Sequence, residues 1–277
     1  ALPICLVENT TWESGLEPEH GLSLYIRTDT LTIVADTGQS GRALLENAAA
    51  LGKDLSRVNM CFISHGHYDH AGGLIALAEA APQARIYMHE KAAGRYYGPD
   101  GDSTRYIGID PAVMKLPQLT YTKGHMRLGP DVETFDGAAG RRLWPAGNLV
   151  LKEKIGDELV QDEFLHEQYL RVRSKNTTLL VSGCAHQGIL NIMDRYRELY
   201  GEDPGIVVSG FHMMADHDLT ADEISVIEET ARQLQKTDTT FYTCHCTGEP
   251  AFEIMHDIMG EQIDYLRCGE TIMTYDG

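Results

Sequence analysis

Four potential metal ligands fall within six residues in Ser64-His65-Gly66-His67-Tyr68-Asp69-His70-Ala71-Gly72-Gly73, directly after the apolar run Val58–Ile63. No other segment restricts so strongly what the chain can fold into. The apolar run has the length of a buried strand, and the sequence after it turns into a helix. On extended backbone His65 and His67, two residues apart, project to the same side. Asp69 and His70 then open the following helix and face a second point nearby. Imidazole with carboxylate suits zinc first, with iron or manganese as alternatives. A plain polar turn rarely gathers so many ligands, so the pattern predicts a metal site.

The arrangement of strand, glycine turn and histidine recurs. Thr177–Ser182 leads into Gly183-Cys184-Ala185-His186, Val208-Ser209 into Gly210-Phe211-His212, and Thr239–Thr243 into Cys244-His245-Cys246-Thr247-Gly248. Strand ends of this kind lie on the rim where open α/β sheets carry their sites. His212 is a candidate proton donor or substrate contact. His89 reads as a polar strand end, and His125, His166, His217 and His256 as surface or structural. The Cys244-x-Cys246 pair has no second cysteine pair, so it is not a zinc ribbon.

Around these motifs the periodicity predicts one α/β domain over residues 1–277. Strands are expected at Leu22–Arg27, Leu31–Ala35, Arg85–Met88, Gly205–Ser209 and, at the end, Thr271–Thr274. A helix runs from a Ser40 cap to Gly52, another covers Gly72–Ala81, a third carries Ile189, Ile192, Met193 and Tyr196 on one face, and Ala251–Met259 forms a further one. Thr220-x-x-Glu223 is a capping box opening a helix. Residues 90–165 lose periodicity and read as a loop-rich insertion that shapes a pocket, or as a meander of edge strands. Two mixed halves without linker or repeat suggest stacked sheets with helices outside.

The 277 residues include 23 Lys and Arg against 41 Asp and Glu, a formal charge of −18. Such a balance argues against nucleic acid and anionic membrane surfaces as partners. With 43% hydrophobic residues the chain can bury a sizeable core. No run approaches the length of a membrane span. The six cysteines show no disulfide framework, so they are expected reduced, in a cytoplasmic protein. The oligomeric state is left open.

The histidine turn resembles that of the metallo-β-lactamase superfamily. Asp36, in Val34-Ala35-Asp36-Thr37-Gly38, matches the buried Asp that supports the superfamily's metal turn. Glu8-Asn9-Thr10, Glu19-His20-Gly21-Leu22-Ser23, Asp36-Thr37-Gly38-Gln39-Ser40, Gly183-Cys184-Ala185-His186, Gly210-Phe211-His212 and His245-Cys246-Thr247-Gly248 narrow the likeness. They resemble the branch called 7,8-dihydropterin-6-methyl-4-(β-D-ribofuranosyl)-aminobenzene-5′-phosphate synthase-like, or metal-dependent hydrolases of β-lactamase superfamily II. The resemblance implies an αββα sandwich holding one or two divalent ions between the edges of two sheets. It assigns His65, His67 and His186 to one site and Asp69, His70 and His245 to the other. The chain departs from the superfamily at Cys184, where a strand usually ends in a bridging Asp. His186 then either replaces the usual third His or stands in for that Asp, and Cys184 is either a thiolate bridge or a small buried residue. The implied activity is hydrolysis by a metal-bound hydroxide, oriented by Asp69, on a small anionic ester, lactone, phosphate or pterin-related substrate. The alternatives are a phosphoribosyl-transferring synthase at the same site and a non-hydrolytic iron-based redox or binding module.

Overall fold

The computed structural model describes residues 2–272. Strand β1 (Leu2–Val7) pairs antiparallel with β2 (Ser23–Arg27), which pairs with β3 (Thr32–Ala35). Helix α1 (Gly41–Ala50) follows, capped by the Ser40 hydroxyl on the Ala43 N–H as the sequence predicts. The apolar run after it forms β4 (Met60–Ile63), parallel to β3. The helix expected at Gly72–Ala81 is α3 (Leu74–Ala80), and Gly72 and Gly73 separate it from the single turn α2 (Tyr68–Ala71) that carries Asp69 and His70. Next comes β5 (Arg85–His89), parallel to β4.

Of the two expectations for residues 90–165, a loop-rich insertion or a meander of edge strands, the structure favours the second, with several short strands. Hairpin β6 (Tyr96–Asp100) and β7 (Ser103–Tyr106) extends over the site. Strand β8 (Leu119–Thr122) completes the first sheet in the order β1-β2-β3-β4-β5-β8. Strands β9 (Met126–Arg127) and β10 (Val132–Phe135) join the second sheet. Hairpin β11 (Lys152–Ile155) and β12 (Glu158–Gln161) pairs with β6, so a separate four-stranded sheet roofs one side of the molecule. Only part of this segment is therefore an insertion, and the short strands alternate too weakly to read from sequence.

The second half repeats the plan. Strand β13 (Tyr169–Arg173) pairs antiparallel with β14 (Thr178–Val181). Helix α4 (Ile189–Tyr200), β15 (Ile206–Ser209), α5 (Ala221–Leu234), β16 (Thr240–Thr243), α6 (Glu249–Met259) and β17 (Ile263–Tyr265) complete it, with β14 to β17 all parallel. The Thr220–Glu223 capping box at α5 forms as expected. Of the expected closing strand Thr271–Thr274, Thr271 makes one isolated bridge to Ile4, and residues 273–277 lie outside the described residues.

Three apolar clusters show the layers. Met60, Phe62, Leu179, Val181, Ile206 and Val208 meet between the sheets. The alternate residues Cys61 and Ile63 face α1 and α3, while Leu180 and Val207 face α4, α5 and α6. Both faces of the central strands are thus buried, which is why they read as unbroken apolar runs. The result is an αββα sandwich. Gln168 ties its halves together where the metal turn begins: its Nε2 donates to Ile63 O at 2.7 Å and its backbone N–H to Ser64 O at 2.8 Å. Among the described residues no helix is long and apolar enough to cross a membrane. All six cysteines are free and buried.

Candidate metal centre

The parallel strands β4, β14, β15 and β16 end on one rim, and each is followed by a histidine. After β4 the chain passes through Ser64, His65, Gly66 and His67 before α2. A Cβ on Gly66 would stand 2.7 Å from the Ala92 carbonyl oxygen, so only glycine fits between the two histidines. Gly183, after β14, has φ +64°, and a Cβ there would lie 2.2 Å from Ser64 Oγ. The two ligand-bearing turns can therefore touch. Asp36, Ala185, His212 and His245 all adopt positive φ, so four residues strained for L-amino acids cluster on this rim.

The hydrogen bonds fix which imidazole nitrogen carries the proton. Asp36 accepts from the Ser64 N–H at 2.8 Å, the Ser64 hydroxyl at 2.7 Å and His70 Nδ1 at 2.7 Å. With its hydrogen committed to Asp36, Ser64 Oγ can only accept from His65 Nδ1, 2.9 Å away. Asn148 donates its amide to the His186 carbonyl at 2.7 Å, so its Oδ1 must accept from His186 Nδ1 at 2.8 Å. Asn9 Oδ1 takes the Gly21 N–H at 3.3 Å and is left to accept from His245 Nδ1 at 2.7 Å. For His65, His186 and His245 this leaves Nε2 with a free lone pair. The Nε2 atoms of His65, His67, His186 and His245 are buried without a hydrogen-bond partner. Orphaned buried acceptors are rare, and lone pairs converging on one cleft fit a divalent cation.

The ligand atoms of His65, His67 and His186 lie within 4.8 Å of one another, as do those of His65, His70 and Cys184, and of Cys184, His245 and Cys246. Cys184 thus sits between the histidine groups, with its sulfur 3.0 Å from His70 Nε2. Asp69 Oδ2 faces His245 Nε2 at 3.2 Å, His20 Nε2 at 3.3 Å and His70 Nε2 at 3.7 Å. The ring of His212 lies 4.3 Å from that of His186, and Phe164 stacks on His186 at 4.4 Å.

Burial holds His67 down to about pH 3, and burial with the neighbouring imidazoles likewise depresses His65 and His186. The three are therefore neutral near pH 7, the form that binds a cation. Burial pushes the Cys184 thiol up, so without a cation it remains protonated and can donate to His70 Nε2.

The sequence profile of the metallo-β-lactamase superfamily matches residues 16–207. The chain belongs to that superfamily. The metallo-β-lactamase fold is shared at TM-score 0.81 with Tm1679, a metal-dependent hydrolase of the β-lactamase superfamily, at 31% identity and 99% coverage of both chains. The 7,8-dihydropterin-6-methyl-4-(beta-D-ribofuranosyl)-aminobenzene-5′-phosphate synthase of Methanocaldococcus jannaschii is 25% identical over 94% of this chain and 92% of its own. A hydroxyacylglutathione hydrolase of Synechococcus sp. is 31% identical over 64% of this chain and 68% of its own.

Of the six ligands expected by analogy with the superfamily, His67, Asp69, His186 and His245 line this cleft with Cys184 and His212, while His65 and His70 are fully buried beside them, their ligand atoms within 4.8 Å of that of Cys184, and Asp36 lies behind. His89 bonds Asp136 at 2.9 Å away from it, and His125, His217 and His256 are exposed. His166, read from sequence as surface or structural, is buried behind the turn, where its Nδ1 accepts from the Gly66 N–H at 2.9 Å and its Nε2 faces Asp162 at 3.1 Å. Sequence reasoning gave no role to His20, Asn9, Asn148 or Glu167. Glu167 accepts from the backbone N–H groups of His186 at 2.6 Å and Gln187 at 3.0 Å. His20 and Asn9 lie in motifs that carry the family likeness, and that was the only signal for them. Asn148 and Glu167 had none.

Proposed function

We propose that the chain is a dinuclear metal-dependent hydrolase of small anionic esters, lactones or phosphates. One cation would be held by His65, His67 and His186, the other by Asp69, His70 and His245, with Cys184 between them. The observation that carries this reading is the set of buried imidazole Nε2 atoms without partners, those of His65, His186 and His245 fixed as acceptors by Asp36 through Ser64, by Asn148 and by Asn9. Divalent cations, when bound, supply Lewis acidity and bring the pKa of water toward about 7. Asp69 Oδ2 is placed to accept and hold the proton of an attacking water, while His20 orients its carboxylate. His212 borders the same cleft, and its Nδ1 has no partner, so it is free to donate a proton to a leaving group. Phe164, Leu151 and Ile107 screen the histidines from bulk water.

The test is to reload stripped protein with zinc, manganese or ferrous iron and to assay a phosphodiester, a lactone and a thioester. Hydrolysis of at least one class, dependent on metal, is expected. Two bound ions with no hydrolysis of any class would overturn the reading. A synthase reaction at the same cleft is the second reading, favoured by the relative from M. jannaschii, and it would appear as phosphoribosyl transfer without ester hydrolysis.

Cobalt substitution should decide the role of Cys184. A thiolate in contact with the ion gives a near-ultraviolet charge-transfer band, and its pKa falls on coordination. Cys184→Ser should lose that band and keep the visible bands of the histidine-bound ion, whereas Cys246→Ser should keep both. A band unchanged in Cys184→Ser would remove Cys184 from the ligand set.

A further inference from the structure

The cleft over the ligands has a volume of about 200 Å³, and its apolar lining includes Pro99, Ile107, Leu151 and Met214. Arg105 is the one arginine or lysine among its described lining residues. It stands on β7, in the roof hairpin, and the metal turn fixes its position. The Tyr68 N–H donates to Ile107 O at 2.9 Å, and His67 forms an antiparallel bridge with Gly108. Tyr68, between the ligands His67 and Asp69, also holds the guanidinium: Arg105 Nη2 donates to its hydroxyl at 3.0 Å, and the guanidinium carbon lies 5.0 Å from its ring centroid. Among the described residues no carboxylate makes an ion pair with Arg105. The guanidinium is thus held at the cleft by Tyr68 alone among the described residues and keeps its charge free for an anion.

We propose that Arg105 anchors a second anionic group of the substrate, a carboxylate or phosphate joined to the reacting group by a short apolar chain. The reacting end would lie over Asp69 and the histidines, the chain against Ile107, Leu151 and Met214, and the far anion on the guanidinium fork. This deepens, and rests on, the metal-dependent reading above. It selects within that substrate class by charge at the end remote from the chemistry.

Binding tests the assignment without relying on turnover. Zinc uptake is measured first, and zinc-loaded protein is then titrated calorimetrically with butyrate and with succinate, glutarate, adipate and 4-phosphonobutyrate. At least one doubly anionic ligand should bind about 10–100-fold tighter than butyrate, the margin of a charge-assisted pair. Arg105→Gln should bring that ratio close to one, and Arg105→Lys should leave it intermediate. Whether glutarate or 4-phosphonobutyrate gains more identifies the preferred anion. A ratio near one in the natural protein at every chain length, or a ratio kept in Arg105→Gln, overturns the assignment. A chain that takes up no zinc overturns this inference together with the metal reading. A protein with the expected ratio but no hydrolysis overturns only the hydrolase reading.

Discussion

Asp36→Asn should cost about 1,000-fold or more in kcat/KM and about 100-fold in metal affinity while leaving the chain folded. The substitution changes one atom, but that atom sets the protons of two ligands. Asp36 Oδ2 accepts from both Ser64 Oγ and His70 Nδ1. An amide NH2 in its place would donate, so His70 must accept at Nδ1 and carry its proton on Nε2. Ser64, freed of its acceptor, would turn its hydrogen toward His65 Nδ1, 2.9 Å away, and His65 would be protonated at Nε2 as well. Two Nε2 positions that a cation would need as lone pairs would become N–H groups. Asn tolerates the φ of +56° at this position, so the backbone has little reason to move. Asp36→Ala is the control: it leaves the Ser64 and His70 donors buried without an acceptor and should destabilise by about 3–5 kcal/mol. Chemical denaturation beside metal titration separates the two effects. Full metal affinity in Asp36→Asn would show that the ligand tautomers are set elsewhere.

The contrast between these variants shows what sequence could and could not reveal. His65, His67, Asp69 and His70 were legible because a turn forces neighbours in sequence to be neighbours in space. His186 and His245 were legible because each follows a strand end beside a glycine turn, where strand ends gather on a rim, and because their order matches that of the superfamily. The groups that hold those ligands in one tautomer were harder to read. Asn9 sits just beyond β1, a strand absent from the sequence prediction, and reaches His245 across 236 residues. Asn148 reaches His186 from the segment with the weakest periodicity. Glu167 and Gln168 open β13 and act through backbone groups, which no spacing rule encodes. Three-residue β17, with exposed Asp264 at its centre, was missed because one alternation is too short a pattern to recognise. The core declared itself by composition, but the polar scaffold depends on long-range pairing.

His67→Ala should abolish metal-dependent activity, by about 1,000-fold or more, while changing the stability of the metal-free chain little. The imidazole is buried with an unpaired Nε2, so the metal-free protein gains little from it, and relief of that atom offsets the small cavity left behind. The bridge from His67 to Gly108 is backbone and survives the substitution. With metal present the difference becomes large. Natural protein at free metal about 1,000-fold above its Kd gains about 4 kcal/mol, and the variant should lose most of that gain. The pH dependence supplies an independent sign. His67 is held to about 3 when folded and titrates near 6.5 when unfolded, so below pH 6.5 the unfolded chain binds the extra proton. Its contribution to metal-free stability is therefore present above pH 6.5 and is lost as pH falls toward 3, at about 1.4 kcal/mol per pH unit. Metal-free His67→Ala should show a shallower acid slope by one proton. Melting curves from pH 7 to 4.5 in chelator, beside metal content by atomic emission, measure both effects. A variant that keeps full activity without metal would remove His67 from the site, and an unchanged acid slope would mean that its imidazole is protonated in the folded chain.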